Sequence, residues 1–416
     1  MTVATDFCNL LYRLAVDHSG EDVPLVLKDV PVLLIQDRES AQRVLRVNAV
    51  NYEKNMPWFR QALGASRMTE NGEGWRLRQR LSQTHFAKFD KQETFVRCTL
   101  HGRATLQRLI AKSATGDPAI DDTILREMAA AVMLESFFGR GLEEAGVHVA
   151  DIARMIAFGS EYAFVPCDSS HRFDPVMLKA FLSVRAKVLH DLRSFREGDV
   201  AKDSLLAQLR EMDAAEGNGF VLEHELTLFF AAGAETTAAS IGWACWLLSR
   251  HPEVQDELRK EISEFWSSRT ADWNQLSKLP KLENFVSEVL RIFPATPVIG
   301  RKAIAEDRLG KANVREGDQV LVSIVGLQHD TRFHPEPWNL DIHSKGPRGA
   351  GHSLSFGVGP RVCGGARFAA VEMMSFLSVF LQEARFEAVH HDPPVFRWQS
   401  QLLHEGGQPV KVLSAI

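Results

Sequence analysis

Apolar residues recur at three- and four-residue spacings through most of this chain, which is the period of a helix that buries one face. The pattern dominates from about Gly74 to Leu248 and returns near the end of the chain, in ARFAAVEMMSFLSVFLQEA. Alternating apolar and polar positions, typical of strands, occur in Pro24 to Asp37 and in ATPVIGRKAIA, DQVLVSIVG and QPVKVLSAI. The sequence therefore predicts a mostly helical protein with small β-sheets, whose strands come together around the helices.

The segment LTLFFAAGAETTAASIGWACWLL, from Leu226 to Leu248, is long and apolar enough to be compared with a membrane span. Its one charged residue, Glu235, lies near the centre, where a carboxylate costs about 2.5 to 3.5 kcal/mol on insertion scales. We therefore expect no membrane span but a long helix buried through a soluble protein. A Glu-Thr pair inside such a helix is a candidate functional site.

Composition narrows the class of protein. The chain has 416 residues, 45% of them hydrophobic and 24% charged, which is typical of a globular protein with a large core. A net charge of −5 gives no general attraction to nucleic acid or anionic lipid. Since no linker, repeat or low-complexity tract divides the sequence, we expect a single domain over residues 1–416.

The cysteines and the N-terminus bear on the compartment. Five scattered cysteines contain no CxxC pair, so neither a zinc site nor a disulfide framework is indicated. The first residues, MTVATDFCNLLYRLAVDHSG, lack a basic start followed by an apolar run. These features favour a mature protein in a reducing compartment, the cytoplasm.

One cysteine stands out because of the residues around it. Cys363 lies in FGVGPRVCGG, residues Phe356 to Gly365, where glycines leave room beside the sulfur and a strong helix follows. A helix N-terminus favours a thiolate, and Arg361 adds a donor that suits a carboxylate. A thiolate on a flat loop beside an arginine suits heme ligation, although a buried, inert cysteine is a common alternative.

FGVGPRVCGG resembles the heme-binding signature of the cytochrome P450 superfamily, FGxGxRxCxG, and matches it at every fixed position. The resemblance runs from about residue 25 to the end. It implies a heme b that lies between the long central helix and the cysteine loop, with Cys363 as the ligand of the iron. It also implies that four other residues of the loop touch the heme: Phe356, Gly357, Arg361 and Gly365.

Other segments resemble motifs of the same family. SEVLRIFP carries Glu288 and Arg291, which match its ExxR pair and predict a structural ion pair on one helix face. Arg301 stands where the family places an arginine near a heme propionate. Trp75 matches the tryptophan of the family's WxxxR segment, whereas Gln79 replaces the arginine, so that contact falls to Gln79 or is not made.

The segment HDTRFHPEPWNLDIHSK resembles the family's meander but departs from it. Where many members carry an arginine that joins the ExxR pair, the spacing points here to Ser344. The sequence therefore leaves the closure of this triad to a neighbour of Ser344, His343 or Lys345, with His343 as the expected partner.

AGAETT, residues Ala232 to Thr237, resembles the family's oxygen-activation motif. Splitting dioxygen needs protons, so Glu235 and Thr236 are expected to act as acid and hydroxyl relay. Ala232 is implied to lie above the heme, and Gly233 to leave space for oxygen. A Thr hydroxyl that bonds back to a carbonyl is expected to open the helix locally.

The substrate is constrained only by position. Resemblance places Val298, Ile299 and the tip Gln401 to Leu403, with Leu402 at its centre, in the pocket, and it implies an apolar small molecule. Aromatic residues between two helices are expected to form a lid: Tyr162, Phe164 and Phe173.

These features predict a soluble, bacterial-type heme-thiolate monooxygenase. The alternatives are a peroxide-driven peroxygenase of the same fold, which the Glu-Thr pair disfavours, and a non-catalytic heme-binding sensor. The chain holds no flavin or nicotinamide domain, so we expect a separate electron donor with its reductase, an acidic ferredoxin or flavodoxin. Its expected docking face carries basic residues: Arg76, Arg78, Arg80, Lys88, Lys345, Arg348 and Arg367.

Overall fold

A computed structural model of the chain describes residues 3–27, 29–116, 119–161, 174–215, 217–268, 271–343 and 354–415. Helices dominate it, as the periodicity predicts. The α-helices are α1 Val3–Asp17, α2 Arg38–Gln42, α3 Pro57–Leu63, α4 Gly72–Lys88, α5 Lys91–Ala114, α6 Asp122–Phe138, α7 Leu142–Ala145, α8 Val149–Glu161, α9 Pro175–Asp191, α10 Leu205–Ala214, α11 Leu222–Phe229, α12 Glu235–Arg250, α13 Pro252–Ser267, α14 Trp273–Leu276, α15 Pro280–Ile292, α16 Ile324–Gln328 and α17 Ala366–Glu383.

The strands are short and lie mainly toward the two ends of the chain. They are β1 Val23–Leu27, β2 Val30–Ile35, β3 Tyr52–Glu53, β4 Ala119–Ile120, β5 Val298–Ala303, β6 Asp307–Leu309, β7 Ala312–Val314, β8 Gln319–Ser323, β9 Ala384–Ala388, β10 Phe396–Trp398, β11 Leu402–His404 and β12 Gln408–Ser414. This confirms the mostly α fold with small β-sheets.

The largest sheet joins the beginning of the chain to its second half. Its strand order is β1-β2-β8-β5-β3, in which β2 runs parallel to β8 and the other pairs are antiparallel. The hairpin expected between Pro24 and Asp37 is β1-β2. The stretch DQVLVSIVG is only partly a strand, because the chain turns into α16 after Ser323, whose hydroxyl caps that helix by accepting from the Gly326 N–H.

Two smaller sheets contain the last strands of the chain, β9 to β12. β12 pairs with β9 and with β4, and β10 forms a hairpin with β11. This hairpin is tied to the interior because the Leu402 N–H donates to the Ala295 carbonyl at 2.9 Å and its carbonyl accepts from Trp243 Nε1 at 2.8 Å.

The central helix consists of α11, a π-helical turn Phe230–Ala234, and α12, which follow one another without a break. It packs against α6, α17 and the sheet of β9 and β12. Most of its side chains are buried, including Trp243, which is completely inaccessible. A helix that is apolar around its whole circumference belongs in the core of a large protein, as expected from the sequence.

Candidate functional site

The cysteine loop follows one turn of 3₁₀ helix, Leu354–Phe356, contains a second, Gly359–Arg361, and leads into α17. The Cys363 N–H donates to the Phe356 carbonyl at 2.9 Å, which closes the loop on itself. Gly357 and Gly359 adopt φ values of 69° and 78°, a left-handed conformation that other residues rarely take. Two of the glycines that the sequence singles out are therefore required by the backbone of the loop.

Gly359 also permits a close approach. A Cβ at Gly359 would collide with the carbonyl oxygen of Leu45, which belongs to a π-helical turn, Arg43–Val47, after α2. A Cβ at Gly364 would lie 2.8 Å from Nη2 of Arg67. The glycines thus let the loop pack against this π-helical turn on one side and let Arg67 cross the loop on the other.

The thiol of Cys363 is accessible, and α17 begins three residues after it. Burial among the surrounding protein atoms raises the pKa of this thiol, while the N–H groups of Gly365 and Ala366, with Arg67 and Lys54, act to lower it. The start of the helix therefore opposes the effect of burial, although the balance still favours the thiol in the protein alone. A bound metal ion would complete the ionisation, because a coordinating thiol loses its proton.

Four cations lie close enough to the loop to alter one another's pKa. Burial lowers the pKa of Lys54 well below its usual value, helped by repulsion from Arg301, Arg361 and Arg67. Burial also lowers the pKa of Arg301 to about 10, and burial with repulsion from Arg301 and Arg67 does the same for Arg361. The site therefore concentrates desolvated positive charge.

These cations have few partners of their own. Arg301 donates to the Gly300 carbonyl, and Arg361 donates to the Glu70 carbonyl and to Asn71 Oδ1, while its buried Nη1 has no partner. Arg67 Nη1 and Nη2 donate to the neutral side chains of Ser82 and Gln83. In the described part of the chain, no carboxylate hydrogen-bonds these three guanidinium groups, which leaves them available to a bound anion.

The predicted propionate residues meet at this cluster. The Arg361 guanidinium lies 4.0 Å from the centre of the Trp75 ring, and Gln79 Nε2 donates to the Pro360 carbonyl at 3.4 Å. Trp75 and Gln79 on α4 are thus in contact with the cysteine loop. Arg301 on β5 belongs to the same site, because its charge acts to lower the pKa values of Lys54 and Arg361. The fit to a dianionic cofactor is good, since two carboxylates would neutralise buried positive charge.

Arg78 does not belong to an exposed basic face, so that part of the predicted patch is wrong. Its Nε donates to Glu225 Oε1 at 2.7 Å, and both side chains are almost completely buried. Arg76, Arg80, Lys88 and Arg367 are exposed as expected. Lys345 and Arg348 lie outside the described residues.

The central helix opens locally where the AGAETT motif predicts it. Ala232 is exposed within the π-helical turn although Ala231 and Ala234 are buried. Thr236 Oγ1 donates to the Ala232 carbonyl at 2.7 Å, so the hydroxyl bonds back along the helix as expected. A Cβ at Gly233 would lie 3.2 Å from Cγ of Met133, which shows that this glycine gives α6 room to approach.

Glu235 is engaged by a residue that the sequence analysis missed. Its Oε2 accepts from Nε of Arg126 on α6 at 2.7 Å, and the two side chains are 3% and 7% exposed. Burial raises the pKa of Glu235, and Arg126 acts to lower it. No pattern near Arg126 indicates this role, because the two residues are 109 positions apart.

A second buried acid lies on the other side of α12. Glu372 on α17 is 1% exposed, and its Oε2 accepts from Thr237 Oγ1 at 2.9 Å. Its other oxygen has no partner in the described protein. Burial raises the pKa of Glu372 to about 8, so this carboxyl is mostly protonated at neutral pH.

Glu288 and Arg291 form the pair expected on α15. Nε and Nη2 of Arg291 donate to the two carboxylate oxygens of Glu288 at 2.7 and 2.9 Å. Arg291 also donates to the carbonyls of Pro337 and Asn339 at 2.6 and 2.9 Å. The pair therefore fixes the meander that precedes the cysteine loop.

The expected third member, His343, is wrong. Its Nε2 lies 3.4 Å from Oε2 of Glu257, and its side chain is exposed, so it does not contact the pair. A third cation would have donated to the Glu288 carboxylate, whose Oε2 accepts instead from the Asp341 N–H at 3.2 Å. Ser344 and Lys345 lie outside the described residues.

The expected substrate residues are on β5 and on the β10-β11 hairpin. Val298 is buried, and Ile299 Cδ1 would lie 3.6 Å from a Cβ at Gly357, so Ile299 borders the cysteine loop. Leu402 is fully buried in the main core, whereas its neighbour Leu403 forms a small separate cluster with Ala239 and Ala295. The predicted lid residues Tyr162, Phe164 and Phe173 lie outside the described residues.

Comparison with known families gives the decisive observation, because the Cytochrome P450 family profile matches residues 17–412. The chain belongs to the cytochrome P450 family. That assignment agrees with the helical fold, the cysteine loop and the central helix described above. Membership implies that this cytochrome P450 holds a heme.

Individual relatives agree with the family. Cytochrome P450 72A15 of Arabidopsis thaliana is 29% identical over 286 residues, which are 63% of this chain and 56% of the plant protein. Cytochrome P450 716A67 of Medicago truncatula is 27% identical over 349 residues, or 76% of this chain and 66% of the relative. Cytochrome P450 6l1 of Blattella germanica is 35% identical over 188 residues, which are 42% of this chain and 37% of the insect protein.

The chain thus spans less than two thirds of the length of each of these relatives. The relatives come from plants and an insect, so the bacterial type stays a prediction. In the part of this cytochrome P450 that the structure describes, none of the helices combines the length and the apolar character needed to cross a membrane.

Proposed function

We propose that this cytochrome P450 is a heme-thiolate monooxygenase, which inserts one oxygen atom from dioxygen into an apolar small molecule with electrons from a separate redox protein. The observation that carries the proposal is the cysteine loop. Cys363 is exposed just before α17 and lies beside desolvated cations, of which Arg301 and Arg361 donate to no carboxylate in the described chain.

The residues present suit heme b, whose iron activates dioxygen when it is bound. Cys363 would supply the sulfur ligand. The propionates would be held by donors beside the loop: the buried cations Arg301 and Arg361, and the side chains of Trp75 and Gln79, which contact the loop. The remaining contacts would come from the flat faces on either side: Ala232, Gly233, Phe356, Gly357 and Gly365.

Glu235 and Thr236 would hold and pass the protons that the reaction needs. Thr236 has its hydroxyl anchored on the Ala232 carbonyl, so it is poised at the open turn of the helix. Glu235 provides the carboxylate, and its surroundings exclude water, which strengthens its electrostatic effect. The hydroxyl orients and passes protons, and the carboxylate exchanges them with the rest of the protein.

The substrate and partner follow from the surfaces that surround this site. Val298 and Ile299 are apolar, and Ile299 borders the cysteine loop, which supports an apolar substrate. The exposed Arg76, Arg80, Lys88 and Arg367 suit an acidic ferredoxin or flavodoxin, because opposite charge steers such a protein to its docking face. We propose that the protein is a single domain and that it works in the cytoplasm.

Cys363→Ser tests the proposal. The wild-type protein, reduced and exposed to carbon monoxide, should show the spectrum of a thiolate-ligated heme, and the variant should lose it. Cys245→Ser is the matched control, since Cys245 is buried in α12 and should leave the spectrum unchanged. A thiolate spectrum that survives in Cys363→Ser would refute the assignment of the ligand.

Activity separates an enzyme from a heme-binding sensor. With its electron donors, the wild-type protein should consume NADPH in step with product formed from an apolar substrate. Consumption without oxidised product from any apolar substrate that alters the heme spectrum would favour the sensor. Product formed from added peroxide at the same rate as with electron donors would favour the peroxygenase.

A further inference from the structure

The carboxylate of Glu235 is not free to turn. Nε of Arg126 donates to its Oε2 at 2.7 Å, and both side chains are almost fully buried between α12 and α6. A buried pair of this kind is held tightly, because separating it leaves two charges without solvent.

The pair also points away from the hydroxyl relay. Adjacent residues on a helix project in different directions, so Glu235 and Thr236 do not face one another. Thr236 Oγ1 donates to the Ala232 carbonyl, and no hydrogen bond joins it to Glu235 in the described structure. Arg126 is therefore the group that fixes the direction of the acid.

Arg126 also opposes the effect of burial. Burial favours the neutral form of Glu235 and the nearby Asp122 carboxylate acts in the same direction, while Arg126 favours the charged form by attraction and by its hydrogen bond. A buried carboxylate that loses its cation responds by binding a proton.

Few other charges face Glu235. From α6 they are Asp122 and Arg126, and Asp122 in turn accepts from Nη2 of Arg397 on β10 at 3.4 Å. On α17, Glu372 is bound by Thr237 and is not among the groups that act on Glu235. Charged or titratable side chains on the other elements that pack near this part of α12 have partners elsewhere: Glu288 with Arg291 on α15, and His404 with the Glu405 carbonyl after β11.

We propose that Arg126 is a positioning residue for Glu235, which holds the carboxylate charged and turned toward α6 between turnovers and so controls its exchange of protons with the relay. The inference rests on the proposed function for its catalytic meaning. The ion pair itself can be tested in the resting protein, without turnover. The two proposals can therefore fail separately.

The first experiment follows the carboxyl group itself by infrared spectroscopy of the purified holoprotein over a pH series. The Glu235 band is identified as the one that Glu235→Gln removes. In Arg126→Met it should stay protonated to a pH at least about one unit higher than in the wild type, because the compensating charge is gone. Arg126→Lys should restore most of the wild-type titration.

Arg140→Met is the matched control, because Arg140 is also buried but donates to the backbone carbonyls of Ser194 and Glu197. It should leave the Glu235 band unchanged. If Arg126→Met fails to fold, as judged by circular dichroism, Arg126→Gln takes its place. An unchanged Glu235 titration in folded Arg126→Met or Arg126→Gln overturns the proposal.

The second experiment measures turnover with a substrate that alters the heme spectrum. Arg126→Met should bind that substrate with unchanged affinity, lose at least about tenfold in coupled product rate, and shift the pH profile of that rate to higher pH. A shifted infrared titration with an unchanged pH profile would overturn the catalytic half of the inference. Absence of any monooxygenase activity in the wild type would instead refute the proposed function and leave the infrared result intact.

Discussion

Glu372→Gln changes a single proton-binding group in the core. The carboxyl is buried on α17, accepts one hydrogen bond from Thr237, and faces no cation that lowers its pKa. Glutamine has nearly the same shape and keeps an oxygen for the Thr237 hydroxyl. The variant therefore removes the titration of this side chain and leaves its hydrogen bond in place.

The size of the effect follows from the pKa. Burial raises it from 4.5 to about 8, so between these values the folded protein keeps a proton that the unfolded chain has lost. The free energy of unfolding of the wild type then falls as the pH rises, by up to about 5 kcal/mol at 1.36 kcal/mol for each pH unit. Over the range from about pH 5.5 to about pH 8, the change is about 3 kcal/mol.

Urea unfolding of both proteins across that range is the assay. The stability of Glu372→Gln relative to the wild type should increase by about 3 kcal/mol from the acidic to the alkaline end, with an unchanged dependence on urea. Glu387→Gln, at an exposed position on β9, serves as the control and should run parallel to the wild type. Parallel curves for Glu372→Gln as well would show that Glu372 is ionised in the folded protein.

Two further predictions concern turnover. Thr236→Ala should bind heme and substrate normally but divert reducing equivalents to hydrogen peroxide, with a loss of about 10²-fold or more in coupled product rate; wild-type coupling would mean that the hydroxyl is merely structural. Arg80→Glu with Arg367→Glu should slow heme reduction by an acidic donor and weaken its salt dependence without changing the substrate-induced spectrum, because both side chains are exposed. Reduction that stays as fast and as salt-sensitive would place the docking face elsewhere.

The sequence predicts the helices and the loop because their signals are local. The period of apolar residues gives α4, α5, α6 and α17, and the glycines and cysteine of the loop are contiguous. The pair Glu288 and Arg291 is also predictable, since three positions on a helix bring two side chains together.

The remaining features depend on contacts between distant segments. The sequence of its own helix places Arg78 on the surface, yet the folded chain buries it in an ion pair with Glu225, 147 positions away. Arg126 reaches Glu235 in the same way. His343 is the expected third member beside Glu288 and Arg291, but backbone groups of the meander, which carry no sequence signal, contact the pair instead.

The contact between Gly359 and Leu45 also bears on how the protein is made. The two residues are separated by 314 positions (359 − 45), and the close fit exists only when both segments are in place. During synthesis β2 must wait for β8, its parallel partner, and the turn that contains Leu45 must wait for the cysteine loop. The pocket for the cofactor is therefore completed late, so substitutions around Leu45, far from Cys363 in sequence, should appear in cells as protein that fails to retain heme.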